Sequence, residues 1–250
     1  MKKLLIEAPL FNWLQTNNIK GVLFDLDDTI IKTNEIFMAA VQEVVALYVK
    51  ALPQLSSDEV STLFDEINIS VHGRYSVNPK RWEHVIAEFE AEAGVKRSIA
   101  RTALHRLAMI YKTHPEYEKD AEKLLQLLKK WRVMVGLVTH ANAQWTLFKL
   151  ESLGLADFFN HVAVVSENKL HKNSDDWLRA AEDIQVRPKN LLGVGDNMQG
   201  DVQSAVTAGF GKVAWVDKKN GWDHYRTGER PSGVLVVEAA GDLLELKFKK

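Results

Sequence analysis

The chain contains 250 residues, of which 46% are hydrophobic and 26% charged, and its 32 basic and 33 acidic side chains leave a net charge of -1. This composition predicts a globular protein with a sizeable core, and the balanced charge gives no electrostatic reason to expect nucleic acid or a membrane as a partner. The sequence has no cysteine, which excludes disulfides, cysteine nucleophiles and thiolate metal sites and fits a cytoplasmic location.

The leading segment Met1–Phe11 combines two lysines with apolar residues, and Glu7 and Pro9 interrupt its apolar run. We expect this segment to pack on the folded domain rather than to act as a signal peptide. Nowhere does the sequence contain about 18 uncharged apolar residues in a row, so no transmembrane helix is expected.

Short apolar runs, which are typical of strands buried on both faces of a parallel sheet, recur along the chain. They are Lys20–Asp25, Val133–Thr139, His161–Ser166, Leu191–Asp196, Lys212–Val216 and Val234–Val237. Amphipathic stretches at Asn142–Leu153 and Ser174–Ile184 lie between the later runs and predict helices, the second with Ser174 as its N-terminal cap. This alternation predicts an α/β fold with a doubly wound parallel sheet.

Residues 34–114 interrupt the alternation, because they contain only helical patterns, four in succession. A connection between a strand and a helix usually takes ~2–6 residues, so this segment is far too long for an ordinary crossover. We expect residues 33–114 to form a helical bundle that faces the carboxyl end of the first strand. Residues 1–32 and 115–250 then form the α/β domain. The simpler alternative is that the helices merely extend the main domain.

Acidic residues follow two of the predicted strands. Asp25 and Asp27 lie one residue apart after the first, and Asp196 and Asp201 follow the Gly193–Gly195 strand end. Strand alternation points Asp25 and Asp27 to the same side, and two such acids repel each other unless a cation or a shared proton relieves them. Mg²⁺ is the natural cation for oxygen ligands. For Asp25 and Asp27 a turn or capping role is equally open, and for Asp201 so is a helix cap.

Two further polar residues stand where a phosphate could bind. Thr139 ends the second long apolar run, and its hydroxyl could hold a phosphate oxygen together with loop N–H groups. Lys172 lies in a polar loop ahead of a predicted helix, with Lys169 as a competitor. Taken singly, a strand threonine and a loop lysine are common, and each is more often structural or solvated.

As an ordered set, these residues resemble the haloacid dehalogenase superfamily of hydrolases over most of the chain from Gly21 onward. The four motifs of that family match, in order, Asp25, Asp27 and Thr29; Thr139; Lys172; and Asp196 with Asp201. The helical insert is similar to the family's C1 type of cap, so the resemblance implies a Rossmann-like core with an inserted cap. The chain departs from the pattern after Lys172, where many members have proline and this sequence has Asn173.

The resemblance implies a phosphatase mechanism. Asp25 would attack phosphorus to form an aspartyl-phosphate, and Asp27 would protonate the leaving alkoxide and later deprotonate water. Mg²⁺ would be held by Asp25, the backbone carbonyl of Asp27 and Asp196, while Thr139 and Lys172 would hold the phosphoryl oxygens. The implied partner is a small phosphorylated metabolite, with no nucleic acid and no membrane, and the sequence leaves the oligomeric state open.

Three alternatives remain beside a phosphatase. A haloacid dehalogenase of the same fold releases halide, which needs no proton, so the presence of Asp27 favours phosphate chemistry. A phosphomutase needs the same four motifs and is harder to separate. A non-catalytic binding module is the third, and the retention of Asp25, Lys172 and Asp196 argues against it.

The segment His72–Trp82 mixes cations, aromatics and turn residues, and is predicted to be a loop between the second and third helices of the insert. Loops on a rigid scaffold often carry specificity, and Arg74 or Arg81 could meet an anionic part of the substrate. Arg81 also fits a solvated position in the first turn of a helix, and Trp82 fits the core. Arg74 and Tyr75 are therefore the predicted substrate contacts in the insert, and Asp201 is a further predicted substrate-binding residue.

Overall fold

The computed structural model describes residues 9–219 and 221–249. The first eight residues of the predicted leading segment lie outside this part of the chain. Pro9–Thr16 form the first helix, α1, and bury Leu10 and Leu14. No helix in the described part of the chain has the length and apolar character needed to cross a membrane.

The described strands form one large sheet and one small two-stranded sheet. In chain order they are β1 (Gly21–Phe24), β2 (Ile31–Lys32), β3 (Glu116–Tyr117), β4 (Met134–His140), β5 (His161–Val165), β6 (Leu191–Gly195), β7 (Lys212–Val216) and β8 (Leu235–Val237). The large sheet has the order β5-β4-β1-β6-β7-β8, and every neighbouring pair in it is parallel. Each predicted apolar run supplies one of its strands, so the predicted parallel sheet is confirmed.

Helices cover the sheet and fill the insert. After α1 they are α2 (Asn34–Ala51), α3 (Ser57–Tyr75), α4 (Arg81–Ala93), α5 (Arg97–Ala108), α6 (Ala121–Lys130), α7 (Ala143–Ser152), α8 (Ser174–Asp183) and α9 (Ser204–Thr207). A π-helical segment, Met198–Gln203, leads directly into α9. The four helical patterns of the insert correspond to α2, α3, α4 and α5.

Strand side chains alternate between two hydrophobic layers. Val22 and Phe24 of β1 pack with α1 and α6 on one face of the sheet, whereas Leu23 packs with α8, the π-helical segment and α9 on the other. The two layers explain why the runs are apolar throughout rather than alternating, since both faces of the sheet are buried.

The helices α2 to α5 have a hydrophobic cluster of their own. At its centre the rings of Tyr48 and Phe89 stack with centroids 4.3 Å apart, and Phe64 packs against both. The antiparallel pair of β2 and β3 joins the two ends of the insert, and its strands are too short to be recognised in the sequence. The boundaries at residues 32/33 and 114/115 stay a prediction.

Trp145 of α7 links the insert to the rest of the molecule. Its ring belongs to the cluster of the inserted helices and meets Phe37 and Tyr111 edge-on, at centroid distances of 5.7 and 5.0 Å. The opposite side of α7 contributes Leu150 to the sheet's own core. One helix therefore holds the inserted bundle against the carboxyl edge of the sheet.

Candidate active site

The predicted acidic residues meet at the carboxyl ends of the central strands. Strand β1 lies between β4 and β6, so Asp25 after β1 and Asp196 after β6 are direct neighbours at that edge. The backbone N–H of Asp25 donates to the carbonyl of Val194 at 2.8 Å, which extends the ladder into the site. Ligands of open α/β sheets bind at this edge.

Asp25, Asp196 and Asp201 form a compact cluster whose carboxylate oxygens lie within 4.8 Å of one another. Burial raises the pKa of Asp25 to about 7, with Lys172 opposing the shift and the carboxylates of Asp201 and Asp27 adding to it. Burial also raises the pKa of Asp196, and the neighbouring Asp25 raises it further. So much repulsion in a small space is relieved by a cation, and a divalent ion with a preference for oxygen fits this donor set.

Gly195 explains how Asp201 reaches this cluster. A Cβ atom on Gly195 would lie 2.5 Å from the Cβ of Asp201, so only glycine leaves room for the carboxylate beside the strand end. The Asp201 side chain accepts the backbone N–H of Asn197 at 3.0 Å and is buried. Asp201 thus belongs to the acidic cluster, while a role in binding substrate stays a prediction.

Lys172 supplies the ammonium group of the site. Its Nζ donates a hydrogen bond to the Asp25 carboxylate and another to the backbone carbonyl of Val138, the latter at 3.0 Å. The same ammonium forms an ion pair with the Asp201 carboxylate, at an N–O distance of 2.5 Å. Burial alone would lower the pKa of Lys172, but the carboxylates of Asp201 and Asp25 outweigh it and raise that pKa. The lysine is therefore positively charged. The competitor Lys169 instead pairs with Asp176, at 2.7 Å.

The Asp27 carboxylate lies apart from the cluster because it is held by another lysine. Lys149 Nζ donates to both carboxylate oxygens of Asp27, at 2.6 and 2.7 Å, and its side chain is fully buried. The same ammonium lies 3.8 Å from the centroid of the Trp145 ring. The predicted metal role of Asp27 concerned its backbone carbonyl, and its carboxylate is not one of the three that cluster.

Asp28 anchors the start of the inserted bundle. It has a left-handed backbone with φ of 58°, a conformation that aspartate tolerates better than most residues. Its carboxylate accepts the backbone N–H of Asn34 at 2.9 Å and the hydroxyl of Thr33 at 3.0 Å. Negative charge is favoured at a helix N-terminus, so Asp28 ties α2 to the loop that carries Asp25 and Asp27.

The two predicted motif threonines are both fully buried. Neither Thr29 Oγ1 nor Thr139 Oγ1 has a hydrogen-bond partner among the described residues. A buried hydroxyl without a hydrogen-bond partner lowers the stability of the folded protein. For Thr139, which lies at the end of β4 beside the site, this leaves the hydroxyl available to an oxygen of a ligand.

Two helix caps differ from their predicted positions by a few residues. Asn173, rather than Ser174, caps α8, since its side chain accepts the N–H groups of Asp175 and Asp176. Asn197, rather than Asp201, caps the π-helical segment, where it accepts the N–H of Gly200 at 2.8 Å. Asp201 is thereby released from capping, which accounts for its place in the acidic cluster.

A cavity of about 1330 Å³ opens from this edge of the sheet and runs between the inserted helices and the core. Asp25, Asp196 and Lys172 lie at its inner end. Helix α2 contributes mainly apolar residues to its lining, with Phe37, Val41 and Val45 among them. Helix α3 contributes mainly polar residues, and residues 221–227 add both aromatic and polar ones. The cavity exceeds the ~300–1,000 Å³ that is typical of small-molecule sites.

The predicted substrate contacts Arg74 and Tyr75 are not among the residues that line this cavity, so its geometry gives that prediction no support. Helix α3 continues to Tyr75 and α4 begins at Arg81, so the loop between them is shorter than predicted and spans residues 76–80. Arg74 Nη2 donates to both carboxylate oxygens of Glu88, at 2.7 and 2.8 Å. Tyr75 stacks on His84 with ring centroids 4.0 Å apart.

Arg81, unlike Arg74, is one of the residues that line the cavity. It is only 6% exposed, whereas its helical position predicted a solvated side chain. The buried His72 lies nearby in the same wall.

Lys149 is a site residue that the sequence analysis did not identify, and Arg81 is one that it considered but placed at a solvated position. A signal existed for Lys149, which lies four residues after Trp145 and beside Leu150 on the buried face of α7; a lysine on an apolar helical face is unusual. For Arg81 the sequence holds no comparable signal, since cations in the first turns of helices are usually solvated.

Comparison with known proteins agrees with the fold and the motif order. Residues 19–209 match the model of the haloacid dehalogenase-like hydrolase family. The chain is 24% identical over 215 residues to the N-acylneuraminate-9-phosphatase of Rattus norvegicus, covering 82% of this chain and 85% of that protein. It is 27% identical over 220 residues to the 5-amino-6-(5-phospho-D-ribitylamino)uracil phosphatase YigB of Escherichia coli strain K12, covering 82% and 88%. Among solved structures, a haloacid dehalogenase-like family hydrolase from Xanthomonas campestris has a TM-score of 0.70 at 16% identity, over 91% of this chain and 90% of that one.

Proposed function

The chain belongs to the haloacid dehalogenase-like hydrolase family and is a phosphatase of that family, and we propose that it is a Mg²⁺-dependent phosphomonoesterase that works through an aspartyl-phosphate. The observation that carries this proposal is the buried cluster of Asp25, Asp196 and Asp201 around Lys172, at the inner end of a large cavity. The domain boundaries at residues 32/33 and 114/115, with the inserted helices as the cap, are part of the same proposal.

In the first step, a carboxylate oxygen of Asp25 attacks the phosphorus of the bound ester. The new Asp25–phosphorus bond forms as the bond from phosphorus to the ester oxygen breaks, and the electron pair leaves with that oxygen. Asp27 gives its proton to the departing alkoxide, which leaves as an alcohol. Lys149 holds both oxygens of the Asp27 carboxylate at 2.6 and 2.7 Å, which sets the direction of the group that performs this transfer.

In the second step, water attacks the phosphorus of the aspartyl-phosphate. Asp27 now takes a proton from that water, the bond from Asp25 to phosphorus breaks, and inorganic phosphate is released. Lys172 and Thr139 hold phosphoryl oxygens throughout: the first with its ammonium, the second with the buried hydroxyl that lacks a protein partner among the described residues.

Asp25 and Asp196 are the residues that would hold Mg²⁺, together with the Asp27 backbone carbonyl. Three carboxylates with a single ammonium among them fit a divalent cation by charge and by the hardness of their oxygens. When bound, the ion supplies positive charge that offsets the phosphate dianion. Asp201 holds the Lys172 ammonium in the site through an ion pair at 2.5 Å.

The proposed substrate class is a small phosphorylated metabolite, as for the two relatives named above, and the proposed location is the cytoplasm. A panel of phosphorylated metabolites together with p-nitrophenyl phosphate, assayed for phosphate release, tests the activity. We expect release that requires Mg²⁺ and stops when excess EDTA removes it. Turnover in EDTA after metal removal has been verified would contradict the metal role.

Asp25→Asn should abolish turnover, by at least about a thousandfold, because an amide is a far poorer nucleophile than a carboxylate. The matched control is Asp157→Asn, which makes the same change on the surface and should keep wild-type rates. Mass spectrometry of the wild type, quenched during turnover, should detect a phosphate adduct on Asp25. A folded Asp25→Asn variant with wild-type activity would overturn the mechanism.

A further inference from the structure

Arg81 is a buried cation without a carboxylate partner among the described residues. It is only 6% exposed, yet its hydrogen-bond partners are neutral: Nη1 donates to Oδ1 of Asn68 at 2.7 Å, and the phenol of Tyr111 is a second partner. Its guanidinium lies 4.0 Å from the centroid of Trp82 and 5.9 Å from that of Phe37. Buried charges in proteins are normally paired with an opposite charge, and no described residue supplies one for Arg81.

A second polar group in the same wall also lacks a partner. His72 is 7% exposed, and its Nε2 has no hydrogen bond to any described residue. Its ring is enclosed edge-on by Trp222, His224 and Tyr225, at centroid distances of 4.8, 5.2 and 6.0 Å. Burial, with Arg81 nearby, lowers the pKa of His72 to about 3, so this imidazole is neutral and offers no competing positive charge.

These two groups face the same space as the phosphate site. Arg81 and His72 line the cavity together with Asp25, Asp196 and Lys172. Tyr225 lines the same cavity, and the charges of Asp196 and Arg81 both act on the pKa of its phenol. A molecule whose phosphate is held at Asp25 can therefore extend through the cavity to Arg81 on the cap side.

We infer that Arg81, with His72, forms a second anion site that binds a carboxylate or phosphate carried by the leaving group of the substrate. This inference rests on the proposed phosphatase function and narrows its substrate class to doubly anionic phosphomonoesters. The guanidinium is hydrogen-bonded to Asn68 and to the Tyr111 phenol, which are both neutral, so no described partner balances its positive charge. A guanidinium binds carboxylates and phosphates through N–H groups that match the spacing of two oxygens. The apolar wall of α2 then covers the carbon skeleton between the two anions.

Matched pairs of phosphate esters test the site. Gluconate 6-phosphate and sorbitol 6-phosphate differ only by a terminal carboxylate, and fructose 1,6-bisphosphate and fructose 6-phosphate differ only by a second phosphate. Each compound is measured as a substrate and as an inhibitor of p-nitrophenyl phosphate hydrolysis. In the wild type, we expect the doubly anionic member of at least one pair to bind at least about tenfold more tightly. The pair that shows the preference identifies the anion as carboxylate or phosphate.

Arg81→Gln should remove that preference, so that the two members of the pair bind within about threefold of each other. The control is Arg74→Gln, which changes an arginine of the same helical unit that pairs with Glu88 outside the cavity, and it should keep the preference. Equal binding of both pair members by the wild type would overturn the inference while phosphatase activity stands. No hydrolysis of any ester, p-nitrophenyl phosphate included, would instead defeat the proposed function.

Asp65 offers an internal explanation that must be separated from a ligand site. It lines the cavity on α3, three residues before Asn68, and could pair with Arg81 if the side chains moved. A double-mutant cycle with Arg81→Gln and Asp65→Asn, followed by thermal unfolding, distinguishes the two. Additive changes in melting temperature support an unpaired Arg81, and strong coupling between the two substitutions would overturn the inference.

Discussion

The pairing of Lys149 with Asp27 divides the acidic residues of the site into two groups with different surroundings. Asp25, Asp196 and Asp201 form a cluster of carboxylates that could hold a metal ion. The Asp27 carboxylate instead binds the buried ammonium of Lys149, which lies over the ring of Trp145. Two carboxylates only one residue apart in sequence can thus serve as nucleophile and as proton carrier, because their neighbours differ. Lys149 acts on the reaction through Asp27 and is a positioning residue.

Lys149→Met should lower kcat for alkyl phosphates by about 10- to 100-fold, because it removes both charged hydrogen bonds that orient the Asp27 carboxylate. Esters with a good leaving group need little proton transfer, so p-nitrophenyl phosphate should be affected much less. The measurement is the ratio of kcat for glycerol 3-phosphate and p-nitrophenyl phosphate, or for any alkyl ester accepted from the panel.

Lys129→Met provides the control for this substitution. Lys129 is an exposed lysine whose Nζ donates to the carbonyl of Asp157 at 2.7 Å, and its replacement should leave both rates unchanged. Asp27→Asn should reproduce the leaving-group dependence of Lys149→Met. If Lys149→Met lowered both rates by the same factor, Lys149 would support the fold and not the orientation of Asp27.

At the scale of secondary structure, the sequence was most informative where a single pattern decides the outcome. The run Leu191–Gly195 is apolar because both faces of the sheet are covered, and its ending in Gly-Asp marked the site. The segment around Gly73 misled, because glycine and two arginines suggested a loop where packing extends α3 to Tyr75. The exposure of Arg74 and the burial of Arg81 depend on that extension, so no local pattern could have separated them.

The start of α8 shows how one residue connects helix stability with the site. Asn173 accepts the N–H groups of Asp175 and Asp176, while its own N–H donates to Asp176 Oδ2 at 3.0 Å. Asn173, where the sequence departs from the motif it resembles, therefore forms a reciprocal cap with Asp176. Because Lys172 immediately precedes it, this cap also fixes the backbone from which the ammonium reaches Asp25.

Asn173→Ala should lower the free energy of unfolding by about 1 kcal/mol through the lost cap, and should also lower kcat/KM because Lys172 loses its fixed anchor. Ser56→Ala is the matched control, since Ser56 forms the same reciprocal cap with Glu59 at the exposed start of α3. It should cost similar stability without changing kcat/KM for p-nitrophenyl phosphate. Equal kinetic effects of the two variants would show that the cap of α8 has no special link to the site.

The whole molecule consists of a sheet core and a helical unit with a large cavity between them. Closing such a cavity over a phosphate excludes water from the reacting atoms. The same arrangement buries titratable groups that face it, among them His72 in the helical unit and His140 at the end of β4. Burial lowers the pKa of His140 to about 4, helped by the charge of Lys172, and lowers the pKa of His72 to about 3.

These shifts set the direction in which pH changes the stability of the fold. The unfolded chain has histidines with an ordinary pKa of about 6.5, so between that value and the lowered folded pKa it binds more protons than the native protein. Stability is therefore complete above about pH 6.5 and falls as the pH drops through the window down to about 3. Each such histidine contributes at most about 1.4 kcal/mol per pH unit.

His72→Gln should flatten this dependence, because it removes one group that must remain neutral in the native protein. Between pH 7 and pH 5, we expect the wild type to lose about 2 kcal/mol more than the variant in free energy of unfolding. Urea unfolding at half-unit pH intervals measures the difference, and comparison of slopes cancels any constant cost of placing glutamine in the wall. The control is His105→Gln, which replaces an exposed histidine of α5 and should leave the wild-type slope intact. If the stability of His72→Gln and of the wild type changed in parallel with pH, His72 would accept a proton in the native protein as readily as in the unfolded chain. The cavity wall around this ring would then be open to water.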